Sequence, residues 1–475
     1  MRVDLLVALT GYFLLLLFVG VYFSRKTSSL EDYFLASRNL GSLLVFLSLA
    51  ASWIGASSTL VTVDEAYSQG ISSFWVMGLP AVLTALGFAF IFAGPIRSLP
   101  ILTLPDLVEM RYGRLVQHLA SFLIVWYMIL LAASQMVALG SFLGTLLRIP
   151  YFQALLLGTA VVVVYSVIGG FFSVVLTDSL QFILLIGGIV GLFFFLAGRA
   201  SFAEAAAVAL LEREAGFWDF FHGWERHALM VVSFVCAWTI SPIVWQRIQA
   251  ARTPRHARRG LLAAALAFLV IYAVIVGIGI LALPLFPAQD LDGPLLSVMV
   301  SSVGALLSGL LFVAVAAAVM STLDTAINTG ALSLTRDVIQ RLMKPASRID
   351  ALILGRVSTV VIAVLALLVA TRFQSILQAL GLASEILAEG FFIPGIAMLF
   401  LRRRVPTAGL LSVALGGGYA VLVFLVALGL IPLPLPEWPF SVPYGLGLSL
   451  VGFLVGFAWD RKRSVSALRP ETNDI

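Results

Sequence analysis

Residues 314–325 read Ala-Val-Ala-Ala-Ala-Val-Met-Ser-Thr-Leu-Asp-Thr and lie in the second half of an apolar run of membrane length. Ser321, Thr322, Asp324 and Thr325 thus fall together at membrane depth. An ionisable group placed there is costly and marks an ion or solute path. On a helix turning about 100° per residue, Ala318, Ser321, Thr322 and Thr325 share a face. Ser321 and Thr322 offer hydroxyl oxygens, and Ala318 a carbonyl where the helix loosens, which are ligands that suit a sodium ion. The chemistry indicated is the handling of a small cation.

Two further runs carry interruptions. Residues 49–59, Leu-Ala-Ala-Ser-Trp-Ile-Gly-Ala-Ser-Ser-Thr, set Gly55 among small and hydroxyl side chains that can rebond freed backbone groups. Residues 236–247, Cys-Ala-Trp-Thr-Ile-Ser-Pro-Ile-Val-Trp-Gln-Arg, carry Pro242, which removes a backbone donor and clashes with the preceding turn. Transport sites lie where membrane helices break near the midplane. Trp53, Gly55, Ser57, Ser58, Trp238, Ser241 and Pro242 are therefore the expected lining of a solute cavity. Aromatic faces such as Trp53 and Trp238 suit cations or sugar rings. Asp64 and Glu65 are expected in a solvated vestibule, and Glu385 and Glu389 near an outer gate.

The elements that hold these residues are membrane helices. The chain is 61% hydrophobic and 11% charged, whereas soluble domains have about 45–50% apolar and about 25% charged residues. Thirteen apolar stretches are long enough to cross the bilayer: 4–23, 43–68, 72–96, 117–147, 151–169, 174–198, 227–247, 260–285, 298–330, 352–371, 379–401, 407–430 and 441–460. The first is read as a spanning helix and not as a cleaved signal. With the N-terminus outside, 23 of the 29 basic residues fall on the cytoplasmic side, the bias expected of an N-out, C-in protein in the inner (plasma) membrane. One cysteine excludes a disulfide within the chain and a cysteine-based metal site. The four histidines are placed near helix ends or in loops, and no nucleophile and base converge at depth, so an enzyme is not expected. Nor is a nucleic-acid partner; the lipid bilayer is the expected surroundings.

The two interrupted spans are five spans apart, each with Ala and Trp just before its break (Ala51 and Trp53; Ala237 and Trp238). That fits two five-helix repeats of opposite topology. The expected organisation is an N-terminal helix and cytoplasmic loop (1–42), a first repeat (43–198), an extracellular interfacial segment (199–226), a second repeat (227–401), and C-terminal helices with a short tail (402–475).

Several segments, in order, resemble the sodium/solute symporter family: Asp-Tyr-Phe-Leu-Ala-Ser-Arg-Asn-Leu-Gly (32–41), Gly-Gly-Phe-Phe-Ser-Val-Val-Leu-Thr-Asp-Ser-Leu-Gln (169–181), Met-Ser-Thr-Leu-Asp-Thr-Ala-Ile-Asn (320–328) with Leu-Thr-Arg-Asp (334–337), Arg247 with Ala-Arg-Arg (257–259), and Leu-Arg-Arg-Arg-Val-Pro-Thr-Ala-Gly (401–409). The resemblance implies an all-α integral membrane protein of about 13 transmembrane helices: a LeuT-type 5+5 inverted repeat with one extra N-terminal and two extra C-terminal helices. It implies a principal sodium site at Ala51, Ile54, Ala318, Ser321 and Thr322. A second cation site, carried by some members, maps to Asp178, Ser321, Asp324 and Thr325, where Asp324 departs from the family's serine. The implied function is import of a small organic solute coupled to Na+ by alternating access, with no organic cofactor. A proton-coupled transporter of the same fold, or a substrate sensor on a transporter scaffold, is the alternative.

Overall fold

Apolar runs this long close their own backbone hydrogen bonds in lipid only as helices, and every regular element here is helical, apart from a single isolated bridge, Leu40 to Ala251, among the described residues. The computed structural model describes residues 3–24, 38–99, 101, 103–213, 216–286, 295–343, 351–372, 375–401 and 403–466. Residues 32–37 of the first family-like segment, and Arg25, Lys26, Lys344, Arg348, Arg402 and Arg469 of the basic bias, lie outside these.

The chain opens with α1 (Val3–Ser24) and α2 (Ser42–Trp53). After a break at 54–55 come a wide turn (Ser57–Val61) and α3 (Thr62–Gln69). Then follow α4 (Gly78–Gly87), α5 (Ala93–Ser98), α6 (Leu104–Tyr112), α7 (Arg114–Leu147) and α8 (Tyr151–Ala197). A straight helix of α8's 47 residues would be about 70 Å long. It therefore contains two stretches of crossing length, 151–168 and 173–197. The second half begins after α9 (Phe202–Glu212) with α10 (Trp224–Thr239) and α11 (Pro242–Ala250), bent by 43° at the break. It continues with α12 (Pro254–Ala282), α13 (Leu295–Ser302), α14 (Ala305–Leu332), α15 (Ala351–Ala370) and α16 (Ile376–Phe400). α17 (Pro406–Ser412), α18 (Gly418–Ala427) and α19 (Val442–Ser466) complete it.

Ten helical stretches among the described residues are long and apolar enough to cross a membrane, or eleven with the bent α10–α11 pair as one span. The expected stretch 298–330 is divided at Val303–Gly304, so that α14 starts at Ala305. α14 lies at the centre, packed on α2, α7, α8 and α15, while α12 packs on α2 and α3. α16 joins α7 and α10 on one side to α19 on the other.

The 199–226 segment docks on the end of the first broken helix. Gly70 has φ +74° and its Cβ position is taken by the Phe217 carbonyl, so only glycine fits there. Ile71 N–H donates to the Phe217 carbonyl at 3.1 Å, and Phe220 packs on Phe74 and Trp75. Phe217 is buried against protein, whereas Phe221 and Trp224 are exposed.

Candidate cation and solute site

The first break is sharp. α2 stops at Trp53, and Ile54 leaves helical geometry at φ −94°, ψ 75°. The hydroxyls after it rebond the backbone: Thr59 donates to the Gly55 carbonyl (2.9 Å), Ser58 to the Trp53 carbonyl (3.0 Å) and Thr62 to the Ser57 carbonyl (3.0 Å). Ala56 N–H donates to Gln135 Oε1 of α7 at 2.9 Å, so a neighbouring helix caps the restarted turn. The second break follows from Pro242, which occupies the first position of α11, where its missing N–H costs nothing. Trp245 turns its indole N–H back to the Thr239 carbonyl at 3.0 Å.

α14 runs past the first break. Ser321 Oγ lies 2.9 Å from the Ala51 carbonyl, 270 positions away, and 2.9 Å from the Ala318 carbonyl. Thr322 Oγ1 is 3.4 Å from the same Ala318 carbonyl. A Cβ on Gly55 would stand 2.5 Å from Thr322 Oγ1, so glycine is what lets the two elements close up. Ala51, Ile54, Ala318, Ser321 and Thr322 are all buried. Neutral carbonyl and hydroxyl oxygens thus converge from a broken helix and an intact one, a donor set that fits a dehydrated alkali cation.

One turn further along α14 the chemistry changes. Arg247, 1% exposed, donates from Nη2 to Asp178 Oδ2 (3.0 Å) and Thr325 Oγ1 (2.9 Å), and from Nε to Ser48 Oγ (3.0 Å). Ser48 donates to the same Asp178 oxygen at 2.8 Å. Asp324 turns away to accept from the Tyr165 hydroxyl at 2.8 Å. Asp178 Oδ1 and Asp324 Oδ1 have no protein partner. Asp178 and Thr325 therefore meet through an arginine. That arginine read as part of a basic cytoplasmic run; the available signal was a charge in the third position before the end of a proline-opened half-helix.

Between the breaks lies a cavity of about 40 Å³ lined by Trp53, Gly55, Ser57, Ser58, Trp238 and Ser241, with Thr322 at its edge. Ser57 Oγ has no protein partner and is buried there. Trp53 and Trp238 approach to 5.4 Å between ring centroids. Tyr127, Gln135 and Leu380 also line it, and sequence patterning did not single them out. Pro242 lines a separate smaller cavity with Thr103 and Gln246, so it makes the break without facing the larger space. Typical ligand pockets measure about 300–1,000 Å³; 40 Å³ admits a few waters, so a solute needs the surrounding helices to part. Asp64 Oδ1 accepts from Leu295 N–H at 2.8 Å, at the start of α13.

At the far end of α14, α6 is tied to the segment that follows it, 333–342. Arg341 pairs with Asp106 at 2.7 Å and with Glu109, and Thr103 donates to Asp337 at 2.7 Å. Arg341's hydrogen bond to Glu109, and its charge, hold that carboxyl below its ordinary range.

Two helix breaks, an oxygen cluster beside one of them and a small cavity between them are the features of a membrane transporter. Comparison with known proteins agrees. The model of the sodium:solute symporter family matches residues 33–417. The chain belongs to the sodium:solute symporter family, and its relatives are transporters, not enzymes. It is 25% identical to the osmoregulated proline transporter OpuE of Bacillus subtilis over 90% of this chain and 89% of that one. It is 27% identical to a sodium/proline symporter of Haemophilus influenzae (88% and 87% covered) and 26% to a sodium/glucose cotransporter of Vibrio parahaemolyticus (90% and 85%). Among solved structures, a Na+-coupled sialic acid symporter in a substrate-bound outward-open state superposes with a TM-score of 0.80 at 20% identity, over 95% of this chain and 97% of that one. The fold is of the LeuT type, and the protein is a multi-pass membrane protein.

Proposed function

We propose that this protein imports a small organic solute together with Na+ by alternating access, and that Ala51, Ile54, Ala318, Ser321 and Thr322 bind the coupling ion. The observation that carries this reading is the Ser321 hydroxyl, held within 2.9 Å of carbonyls from both α2 and α14. An ion placed there ties the broken helix to the intact one. The solute would lie between Trp53, Gly55, Ser57 and Ser58 on one break and Trp238 and Ser241 on the other. Two inverted five-helix repeats, 43–198 and 227–401, framed by one N-terminal and two C-terminal helices, give thirteen crossings in the inner (plasma) membrane, N-terminus outside. The remaining segments, 1–42, 199–226 and 402–475, serve as entry helix and loop, outer cap, and peripheral helices with tail. The membrane potential supplies about 2.3 kcal/mol per charge per 100 mV. At about 1.4 kcal/mol per tenfold ratio, one ion supports roughly forty-fold accumulation.

A second coupling ion is favoured by the charge count beside the first site. Asp178 and Asp324 are two buried carboxylates with one guanidinium nearby, Arg247, which pairs with Asp178 alone. Asp178, Ser321, Asp324 and Thr325 then hold one further monovalent cation, sodium or a proton, with Arg247 as its fixed neighbour.

The test is uptake into proteoliposomes, with solutes first sorted by thermal stabilisation of the purified protein with and without sodium. Proline, glucose and sialic acid are the first probes, since relatives or structural neighbours carry those names. An inward sodium gradient should drive accumulation, and Ser321→Ala with Thr322→Ala should abolish the sodium dependence. Sodium-stimulated uptake undiminished in that double variant would refute the site.

A further inference from the structure

We propose that Glu385 and Glu389 of α16, together with the Ser441 hydroxyl, form a separate binding site for a monovalent cation, a proton or a sodium ion, where the bundle meets its C-terminal helices. This site does not rest on the sodium reading of α14. The two carboxyls are four positions apart and stand on one helix face. Glu385 is 1% and Glu389 0% exposed. Ser441 donates to Glu385 Oε1. Glu385 Oε2 and both carboxylate oxygens of Glu389 have no protein partner.

Among the described residues, none supplies the two acids with a positive charge. A Cβ on Gly445 would collide with the Glu389 carboxylate, and one on Gly416 with the Glu389 carbonyl oxygen, so two glycines lie directly against Glu389. Tyr419 of α18 is the titratable side chain whose charge interacts with both carboxyls. The basic groups of the packed helices are Arg111 of α6, Arg114 and His118 of α7, Arg226 and His227 of α10, and Arg461 to Arg463 of α19. None of them, nor Glu437 in the preceding loop, is among the charges that act on either carboxyl. Two like charges cannot be buried together without compensation. A cation shared by Glu389, Glu385 and Ser441 removes the imbalance.

The occupant also has a route to the solute cavity. Ser441 ends a loop whose Trp438 lies flat on Gly381 of α16 and donates to Ser233 Oγ of α10 at 3.1 Å. Phe234 stacks on Trp238 (5.2 Å) and meets Trp438 at a tilt (5.5 Å), and Trp238 lines the cavity. Loading the glutamate pair changes what Ser441 donates to, and so the seat of Trp438.

The experiment is infrared difference spectroscopy on the full-length protein in lipid nanodiscs, with pH or NaCl stepped, comparing wild type with Glu389→Gln and, separately, Glu385→Gln. A protonated carboxylic C=O band at neutral pH, lost in Glu389→Gln and unmoved by NaCl, identifies the occupant as a proton. A carboxylate band that shifts on adding NaCl, and does so neither in Glu389→Gln nor in Glu385→Gln, identifies it as sodium. Either result supports the site. Ionised carboxylate bands that ignore NaCl and leave no difference between wild type and variants overturn it. Glu385→Gln keeps the proposal testable should Glu389→Gln fail to fold. Ser321→Ala with Thr322→Ala should leave these bands unchanged, which separates the glutamate pair from the site on α14.

Discussion

Two neighbouring stretches of α14 offer a cation opposite surroundings. At Ser321 and Thr322 the oxygens are neutral, partly main-chain carbonyls beside the break after Trp53. One turn on, Thr325 and Asp178 are bridged by Arg247, a cation that belongs to the chain. A dipolar site has no formal charge of its own, so an ion can enter and leave while the packing stays. A site built from buried charges needs its counter-charge at every step of the cycle, because an unpaired buried ion is severely destabilising. The difference teaches that an uncharged and a charged oxygen cluster can be set side by side on one helix by the choice between hydroxyl and carboxylate.

The largest effect should come from breaking the permanent pair. Arg247→Met strands two carboxylates in the interior, and we expect a loss of about 3–5 kcal/mol, the usual scale for one partner removed from a buried pair. Thermal unfolding in detergent reads it, and adding Asp178→Asn should restore part of the loss. If the double variant is no more stable than the single one, Arg247 is held by something other than charge.

The proposed sodium site should behave otherwise. Ser321→Ala with Thr322→Ala is expected to leave the sodium-free unfolding midpoint nearly unchanged. It should remove the sodium-dependent gain, which for a bound ion at a hundred times its Kd is about 2.7 kcal/mol. Equal sodium stabilisation in variant and wild type would erase the contrast between the two stretches.

Gly55→Ala sharpens the comparison by acting on one side only. The added methyl meets Thr322 Oγ1 at 2.5 Å and Gln135 Oε1 at 2.6 Å. An overpacking cost of about 1–3 kcal/mol is expected, with weaker sodium binding and an intact Arg247–Asp178 pair. Calorimetry with and without NaCl separates the two effects.

The smallest effect belongs to the surface pair Glu109–Arg341. Arg341 depresses the Glu109 carboxyl, so its contribution is present above the ordinary carboxylate range and fades as pH falls through the lowered value. Glu109→Gln should therefore match wild type in strongly acidic buffer and be slightly less stable at neutral pH. A difference that is constant with pH would mean that charge is not what the pair contributes.

Much of the site was legible along the chain because its signals are local. Ser321 and Thr322 announce themselves as hydroxyls in an apolar run, and Gly55 and Pro242 as breaks, since helix interruption depends on the residue at hand. Long-range pairing left no such trace. Arg247 looked like one more residue of a basic run, yet it is buried against Asp178, Ser48 and Thr325. Pro242 was expected in the cavity wall and faces a different space. Glu385 and Glu389 face Ser441 and Gly445, partners 56 positions away that their own segment does not announce.

Composition and periodicity by themselves determined that the chain is a set of membrane helices with two interruptions and a hydroxyl-rich face, because hydrogen-bond closure in lipid and 3.6-residue spacing are properties of short segments. Only the tertiary structure decided which carbonyl meets Ser321, which carboxylate Arg247 neutralises and which acids are left without a cation. Those outcomes depend on distances between segments as many as 270 positions apart, and no local pattern encodes them.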